Sequence, residues 1–393
     1  MEREAAVNVD VSKSGDIHAS RPAGRDSSLE LLRIFAMILV VASHLACHAM
    51  GNGWKMWELP FSANQAWSIA LGRWGNFGVE LFIILSSWFM CDRKGIRSRR
   101  LLDLAFQTVT TCIVFFFFIR LTHLNMVGKK ALLEECLELF CSQNYWFIPA
   151  YMVFFALIPF MQLVSCRKGA AFRLVVVWTA LTLIFRSYRP WWTPFFGRVG
   201  HFAYLYFITA WLKEAEENAR ARGRRLFLDR HAGLISLACY ALLVFEACWS
   251  RYRISSGLEA FALPFRISEW LTLLFEFSLF YLFKKFRLKE SRPINALAGT
   301  VFGVYLLHEN FLWMSWENHE QYSILWDQLL RAGAWYESPL FPAYYVCATL
   351  IVFAACAAVE FVLAWLRRLV LSRCPWLDTL CARIDAWYAG DEG

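Results

Sequence analysis

Residues 29–49 read LELLRIFAMILVVASHLACHA. A run of about 20 mostly apolar residues is long enough to cross a bilayer as a helix. This run also carries Glu30, Arg33, His44 and His48. A charged side chain at the centre of a span costs about 2.5–3.5 kcal/mol on insertion scales, so such residues point to function by default. Arg33 and His44 stand 11 positions apart. At about 100° and 1.5 Å per residue, they share nearly one helix face and lie about 16 Å apart along the axis. The pattern places a fixed cation near one membrane surface and a titratable imidazole well inside. Such a site can grip a charged group at the surface and move a proton deeper in. The structural alternative is that Arg33 snorkels to the interface while His44 hydrogen-bonds a neighbouring helix. The spacing alone leaves both open.

The rest of the chain is of the same kind. It has 393 residues and is 58% hydrophobic, with 35 Phe and 19 Trp. Soluble domains reach only about 45–50% apolar residues even with Gly counted. Apolar segments recur as far as Trp365, so the expected fold is all-α, a polytopic membrane helix bundle. At roughly 20 residues per span, about ten spans are expected, near 29–49, 72–91, 102–124, 145–164, 172–185, 199–212, 231–249, 264–283, 294–315 and 343–366. Residues 1–28 are polar, without an apolar run or cleavage site, and read as a disordered cytoplasmic tail. Residues 29–367 form the membrane domain, and 368–393 are expected as a cytoplasmic C-terminal tail.

The net charge of +8 reads as basic cytoplasmic loops rather than as affinity for nucleic acid. With the N-terminus inside, DRKGIRSRR, SCRKG, KEAEENARARGRR, KKFRLKESR and LRRLVLSR all fall on the cytoplasmic side and hold most of the Lys and Arg. The 12 Cys are scattered with no CxxC pair, so no metal is expected, and Cys136 and Cys141 are read as unpaired. No fixed-period repeat suggests a solenoid, and the two halves do not resemble inverted transporter repeats.

Four further stretches carry polar groups. In GRWGNFGVELFIILSSWFM (72–90), Glu80 should face the bundle and find a partner, with His44 and Arg33 as candidates. Ser86 and Ser87 suit close helix packing. In NYWFIPAYM (144–152), Tyr145 and Trp146 fit an interfacial aromatic belt or a substrate contact. In TVFGVYLLHENFLW (300–313), His308, Glu309 and Asn310 interrupt an apolar run. The basic loop 93–100 is a topology signal, and its Arg residues also match phosphate oxygens. His123, His201, Glu246, Glu276 and His319 read as structural or interfacial.

These stretches, in this order, resemble the acyltransferase 3 family of integral membrane acyltransferases. That family's Arg, ten residues, then His looks like Arg33-IFAMILVVAS-His44, with an acidic Glu30 ahead. Its G-V-D/N-L-F-F-x-x-S-G-F looks like GVELFIILSSW at 78–88, with Glu80 in place of Asp or Asn and Ser87 in place of Gly. YWFI with a downstream Pro resembles 145–159, and a late G-I-Y-L-x-H resembles GVYLLHEN at 303–310. An Arg-x-x-Arg leading into the third span is similar to Arg97 and Arg100. The resemblance covers about 28–367 and includes no fused soluble domain.

The resemblance implies an enzyme moving an acyl group, usually acetyl, from cytosolic acyl-CoA to a hydroxyl of a cell-surface or exopolysaccharide glycan, or of its lipid-linked precursor. It points to a bacterial plasma membrane with both termini cytoplasmic. On that reading Arg33, Arg97 and Arg100 hold the CoA phosphates. His44 acts as general base or acyl carrier, Glu80 orients it, and His308 and Asn310 bind the acceptor or stabilise the oxyanion. Tyr145 and Trp146 contact the acceptor. The alternative function is a permease or flippase for a glycan or lipid-linked intermediate, with the same polar residues lining a path.

Overall fold

The computed structural model describes residues 25–52, 59–92, 97–125, 145–185, 194–263, 267–317 and 320–389. Cys136, Cys141, His319 and residues 1–24 lie outside them. Helix α1 (Ser27–Asn52) is the hub of the bundle. Asp26 starts it: its carboxylate accepts the backbone N–H groups of Ser28 at 2.9 Å and Leu29 at 3.4 Å, satisfying donors that a helix start leaves without partners. Ser27 Oγ donates to Asn295 Oδ1 at 3.0 Å, and Ser28 Oγ accepts from the Leu288 N–H at 2.8 Å. Ser27 and Ser28, the last residues of the expected tail, are thus buried in the first turn of α1 and tied to residues 288 and 295.

Around α1 stand α2 (Ala63–Gly72), α3 (Gly75–Met90), α4 (Ser98–Thr122), α5 (Phe147–Ser165), α6 (Ala170–Phe185), α7 (Pro194–Ala221), α8 (Phe227–Ser255) and α9 (Ile267–Lys284). Then come the short α10 (Arg292–Ala298) and α11 (Val301–His308), a hairpin of β1 (Met314–Glu317) and β2 (Glu320–Ser323), the single turn α12 (Ala332–Trp335), the long α13 (Phe341–Leu371) and α14 (Trp376–Ala389). The hairpin is antiparallel, with Met314 opposite Ser323 and Glu317 opposite Glu320, and it packs on α1.

Among the described residues, six helices or helix pairs are long and apolar enough to cross a membrane: Ser27–Ala49, Ala63–Met90, Ser98–Thr122, Phe147–Ser165, Phe227–Ser255 and Phe341–Leu371. The bundle is all-α apart from the hairpin. The segment expected as one span over 294–315 is broken. Pro293 sits in the first turn of α10, α10 stops at Gly299, and Asn310 caps a separate turn by accepting the Leu312 N–H at 3.0 Å. Apolar composition there reflects burial rather than one continuous helix.

Close approach of backbones sets the interior. A Cβ at Gly78 would run into the Ala36 carbonyl oxygen and the Val40 side chain, so α1 and α3 meet nearly backbone to backbone. A Cβ at Gly303 would meet the buried Glu360 carboxylate of α13, which Arg367 pairs and Gln107 Nε2 reaches at 2.9 Å. Apolar side chains such as Phe117 on α4, Leu237 on α8 and Ile351 on α13 point outward, as a lipid-facing belt requires. The C-terminal segment expected as a tail is helix α14. It docks on the start of α4, where the Ser98 N–H donates to Asp385 at 2.6 Å, Ser98 Oγ donates to the Cys381 carbonyl at 3.0 Å, and Arg99 pairs with Asp378.

Candidate active site

Helix α11 ends with its last turn against the C-terminal half of α1. His308 Nδ1 donates to the Val304 carbonyl at 2.5 Å. That bond places the ring proton on Nδ1 and leaves the Nε2 lone pair free to accept. His44 Nδ1 lies 2.8 Å from His308 Nε2 and 2.9 Å from Glu309 Oε2. His44 Nδ1–H therefore donates into this pair, and in the neutral ring its own Nε2 is left unprotonated. His48, one turn along α1 and on the same face, places Nε2 3.3 Å from each Glu309 oxygen. A carboxylate thus sits between two imidazoles and holds one of them in a defined tautomer, the arrangement that orients a catalytic base.

Two cavities meet near this group. The larger, about 660 Å³, opens around the C-terminal half of α1 and is lined by His44, His48, Glu309, Arg73, Trp146 and Arg251 among others. The smaller, about 290 Å³, lies along the N-terminal half and is lined by Arg25, Arg33, Arg100, Ser86 and Tyr151 among others. Val40, Val79, Phe147 and Tyr305 line both and form the waist between them. Arg33 Nη1 is 2.6 Å from Glu30 Oε2, one bond of a guanidinium that has five N–H donors. Arg25 Nη1 donates to the Asn295 carbonyl at 3.4 Å.

The expected residues divide. Arg33, Arg100, His44, His308 and Trp146 come to the cavities or the His44 cluster, and Arg198 stacks its guanidinium 3.8 Å from the centre of the Trp146 ring. Glu80 does not meet His44. It faces α7, where its Oε1 is 3.0 Å from His201 Nε2, and the carboxylate behind His44 is Glu309. The reason is azimuth: Val79 faces the cavities, and the next residue, about 100° round the helix, faces α7. Arg97 is exposed at the N-cap of α4 and lines neither cavity, whereas Arg100, one turn in, lines the smaller one. Asn310 is a buried turn cap, and Tyr145 is buried with its hydroxyl donating to the Leu306 carbonyl at 2.9 Å, so both brace α11 from behind. Sequence reasoning assigned no role to Glu309 or His48. The four-residue spacing of His44 and His48 put them on one face, and the adjacency of His308 and Glu309 was visible.

One ligand atom each from His44, His48 and Glu309 lie within 4.8 Å of one another, a set able to hold a divalent cation. Without a cation, His48 Nε2 bonds Glu309 Oε1 at 3.3 Å and His44 Nδ1 bonds His308 Nε2 at 2.8 Å.

No curated protein matches the chain, and no solved structure does. A family model described as an acyltransferase domain matches residues 26–361. That range includes Arg33, Arg100, His44, His308 and Glu309, so the residues assembled by the fold and the family assignment describe the same region. The chain, a multi-span membrane protein with His44 on the wall of a cavity beside Glu309, belongs to the acyltransferase 3 family and is an acyltransferase.

Proposed function

We propose that the enzyme transfers an acyl group, acetyl foremost, from acyl-CoA to a hydroxyl of a cell-surface or exopolysaccharide glycan or its lipid-linked precursor. The observation that carries this is the position of His44 on the wall of the larger cavity, one turn of α1 beyond Val40, which lines both cavities. The smaller cavity brings Arg25, Arg33 and Arg100 to one end, a cationic grip suited to the CoA phosphates. The acyl thioester then reaches the waist. The larger cavity, with Trp146 on its wall, takes the acceptor, since an aromatic face suits a sugar ring. The excess of basic loops supports cytoplasmic termini, which puts the Arg cavity on the side where acyl-CoA is made, in a bacterial plasma membrane.

In the transfer step, His44 Nε2 takes the proton of the acceptor hydroxyl while its oxygen bonds to the thioester carbon. The tetrahedral adduct collapses, the C–S bond breaks, and the CoA thiolate recovers the proton from the imidazolium. Glu309 steadies the cation formed on His44, and His308 fixes the ring.

The test uses purified protein in lipid nanodiscs with radiolabelled acetyl-CoA and candidate acceptors. His44→Ala should keep donor binding and lose about 10²–10⁴-fold in turnover, the usual share of a general base. Full activity in a folded His44→Ala protein overturns the reading. Acceptor crossing the membrane without any acyl mass shift would make the protein a flippase instead.

A further inference from the structure

The cluster around His44 holds more electron-pair donors than a simple base and its carboxylate need. We propose that His44, His48 and Glu309 form an inhibitory site for a first-row divalent cation, zinc foremost, whose binding switches off the base. The switching-off rests on the reading of His44 as the base; the binding does not.

Three ligand atoms, one each from His44, His48 and Glu309, lie within 4.8 Å of one another. His44 Nδ1 is 2.9 Å from Glu309 Oε2 and His48 Nε2 is 3.3 Å from the same oxygen. Zinc bound by imidazole nitrogen and carboxylate oxygen at about 2.0–2.2 Å in a tetrahedron needs ligand atoms about 3.3–3.5 Å apart. Shifts of a few tenths of an ångström, on the order of a side-chain adjustment, bring the His44–Glu309 separation to that size, and the larger cavity leaves the fourth position to a solvent ligand. His308 stands behind the site: its Nδ1–H is committed to the Val304 carbonyl and its Nε2 faces His44 Nδ1. His44 and His48 are one turn apart on a single helix, so the helix itself sets their spacing. Imidazoles with one carboxylate favour zinc, copper or nickel over magnesium and calcium, which prefer all-oxygen sites. The larger cavity, lined by His44, His48 and Glu309, is the entry path.

Binding changes the His44 tautomer: Nδ1 gives up its proton as the metal takes that lone pair, and Nε2 takes one up from solvent, with no net release. The neutral ring then carries its one proton on Nε2, so the nitrogen that would receive the acceptor proton no longer has a lone pair to offer. Glu309, bound to the cation, no longer steadies an imidazolium.

The experiment titrates zinc sulfate into the full-length protein in nanodiscs at neutral pH. Bound metal is measured by elemental analysis and by competition with a chromophoric chelator, with magnesium chloride as the hard-cation control. One zinc and no magnesium per chain is expected. His48→Ala should weaken zinc binding by about a hundredfold or more, since losing even an outer-shell partner costs about 10–100-fold. In the same samples zinc should inhibit acyl transfer by wild type and a chelator should restore it. Whatever rate His48→Ala retains should be insensitive to the zinc concentration that silences wild type. Absence of stoichiometric zinc, or unchanged zinc affinity in His48→Ala, overturns the site and leaves the acyltransferase reading standing. If instead a chelator abolishes transfer and zinc restores it, the metal is required for the reaction. That result overturns both the inhibitory role and His44 as free base.

Discussion

Replacing Glu309 by Gln tests which carboxylate serves His44. The side chain keeps its size and can still accept through its amide oxygen, but it loses its charge. In the transfer step a positive charge develops on the His44 ring, whose Nδ1 lies 2.9 Å from Glu309 Oε2. A hydrogen bond to a charged group contributes about 1.5–3 kcal/mol and a neutral one about 0.5–1.5. The substitution therefore removes about 1–1.5 kcal/mol of transition-state stabilisation. At about 1.36 kcal/mol per decade this lowers kcat by about tenfold. That is a floor. If the new amide turns its NH2 toward Nδ1, His44 is held in the tautomer protonated at Nε2, and a wrong tautomer of this kind costs up to about 10⁴. KM for acyl-CoA should stay near wild type, because the Arg33 cavity lies at the other end of α1. Glu80→Gln is the control: its carboxylate faces His201, so kcat should be close to wild type. The assay is steady-state acyl transfer with purified protein and varied donor. Wild-type kcat in Glu309→Gln together with a large kcat loss in an equally stable Glu80→Gln would refute the assignment.

Three other outcomes follow from the geometry. Arg33→Ala should raise KM for acyl-CoA by about ten- to a hundredfold, the worth of one charge-assisted contact, with kcat recovered at saturating donor and with Lys restoring only part; a defect confined to kcat would move Arg33 to the reaction centre. Gly303→Ala drives a methyl into the Glu360 carboxylate and should destabilise the protein by about 1–3 kcal/mol, typical of overpacking, so an unchanged melting temperature in detergent would show that α11 and α13 are not packed this tightly. Reporter fusions after Arg225 and near Trp326 should appear cytoplasmic and external respectively, and both on one side would refute the orientation drawn from the basic loops.

Depth along a helix was legible in the sequence, and partnership between helices was not. Arg33 and His44 could be placed because both lie on α1, where spacing alone gives height and face. The length and apolarity of α4, α5, α8 and α13 follow likewise from local composition. Glu80 was read as facing the bundle with His44 or Arg33 as partner, and it meets His201 instead, because which neighbour a side chain meets depends on how α3 is rotated against α1 and α7. Arg97 and Arg100 looked equivalent as a pair. Arg97, however, has an extended backbone just before the helix, and Arg100 is inside it. The break between α10 and α11 was signalled by Pro293, Gly299 and Asn310, yet the surrounding apolar residues read as a continuous span. His48 and Glu309 come together across 261 residues of sequence, a separation that no local pattern reports.

The waist of Val40, Val79, Phe147 and Tyr305 also has a bioenergetic meaning. Two cavities entering from opposite ends of a membrane-spanning helix leave little protein between the compartments. Narrow apolar constrictions stop ions by shedding water, and each charge held back across 100 mV represents about 2.3 kcal/mol. On the proposed reading, the four side chains past which the acyl group is carried are therefore also the electrical insulation of the bilayer at this point. Enlarging the waist to admit a longer acyl chain trades donor range against proton leak, and a cell that depends on its membrane potential limits how far that exchange can go.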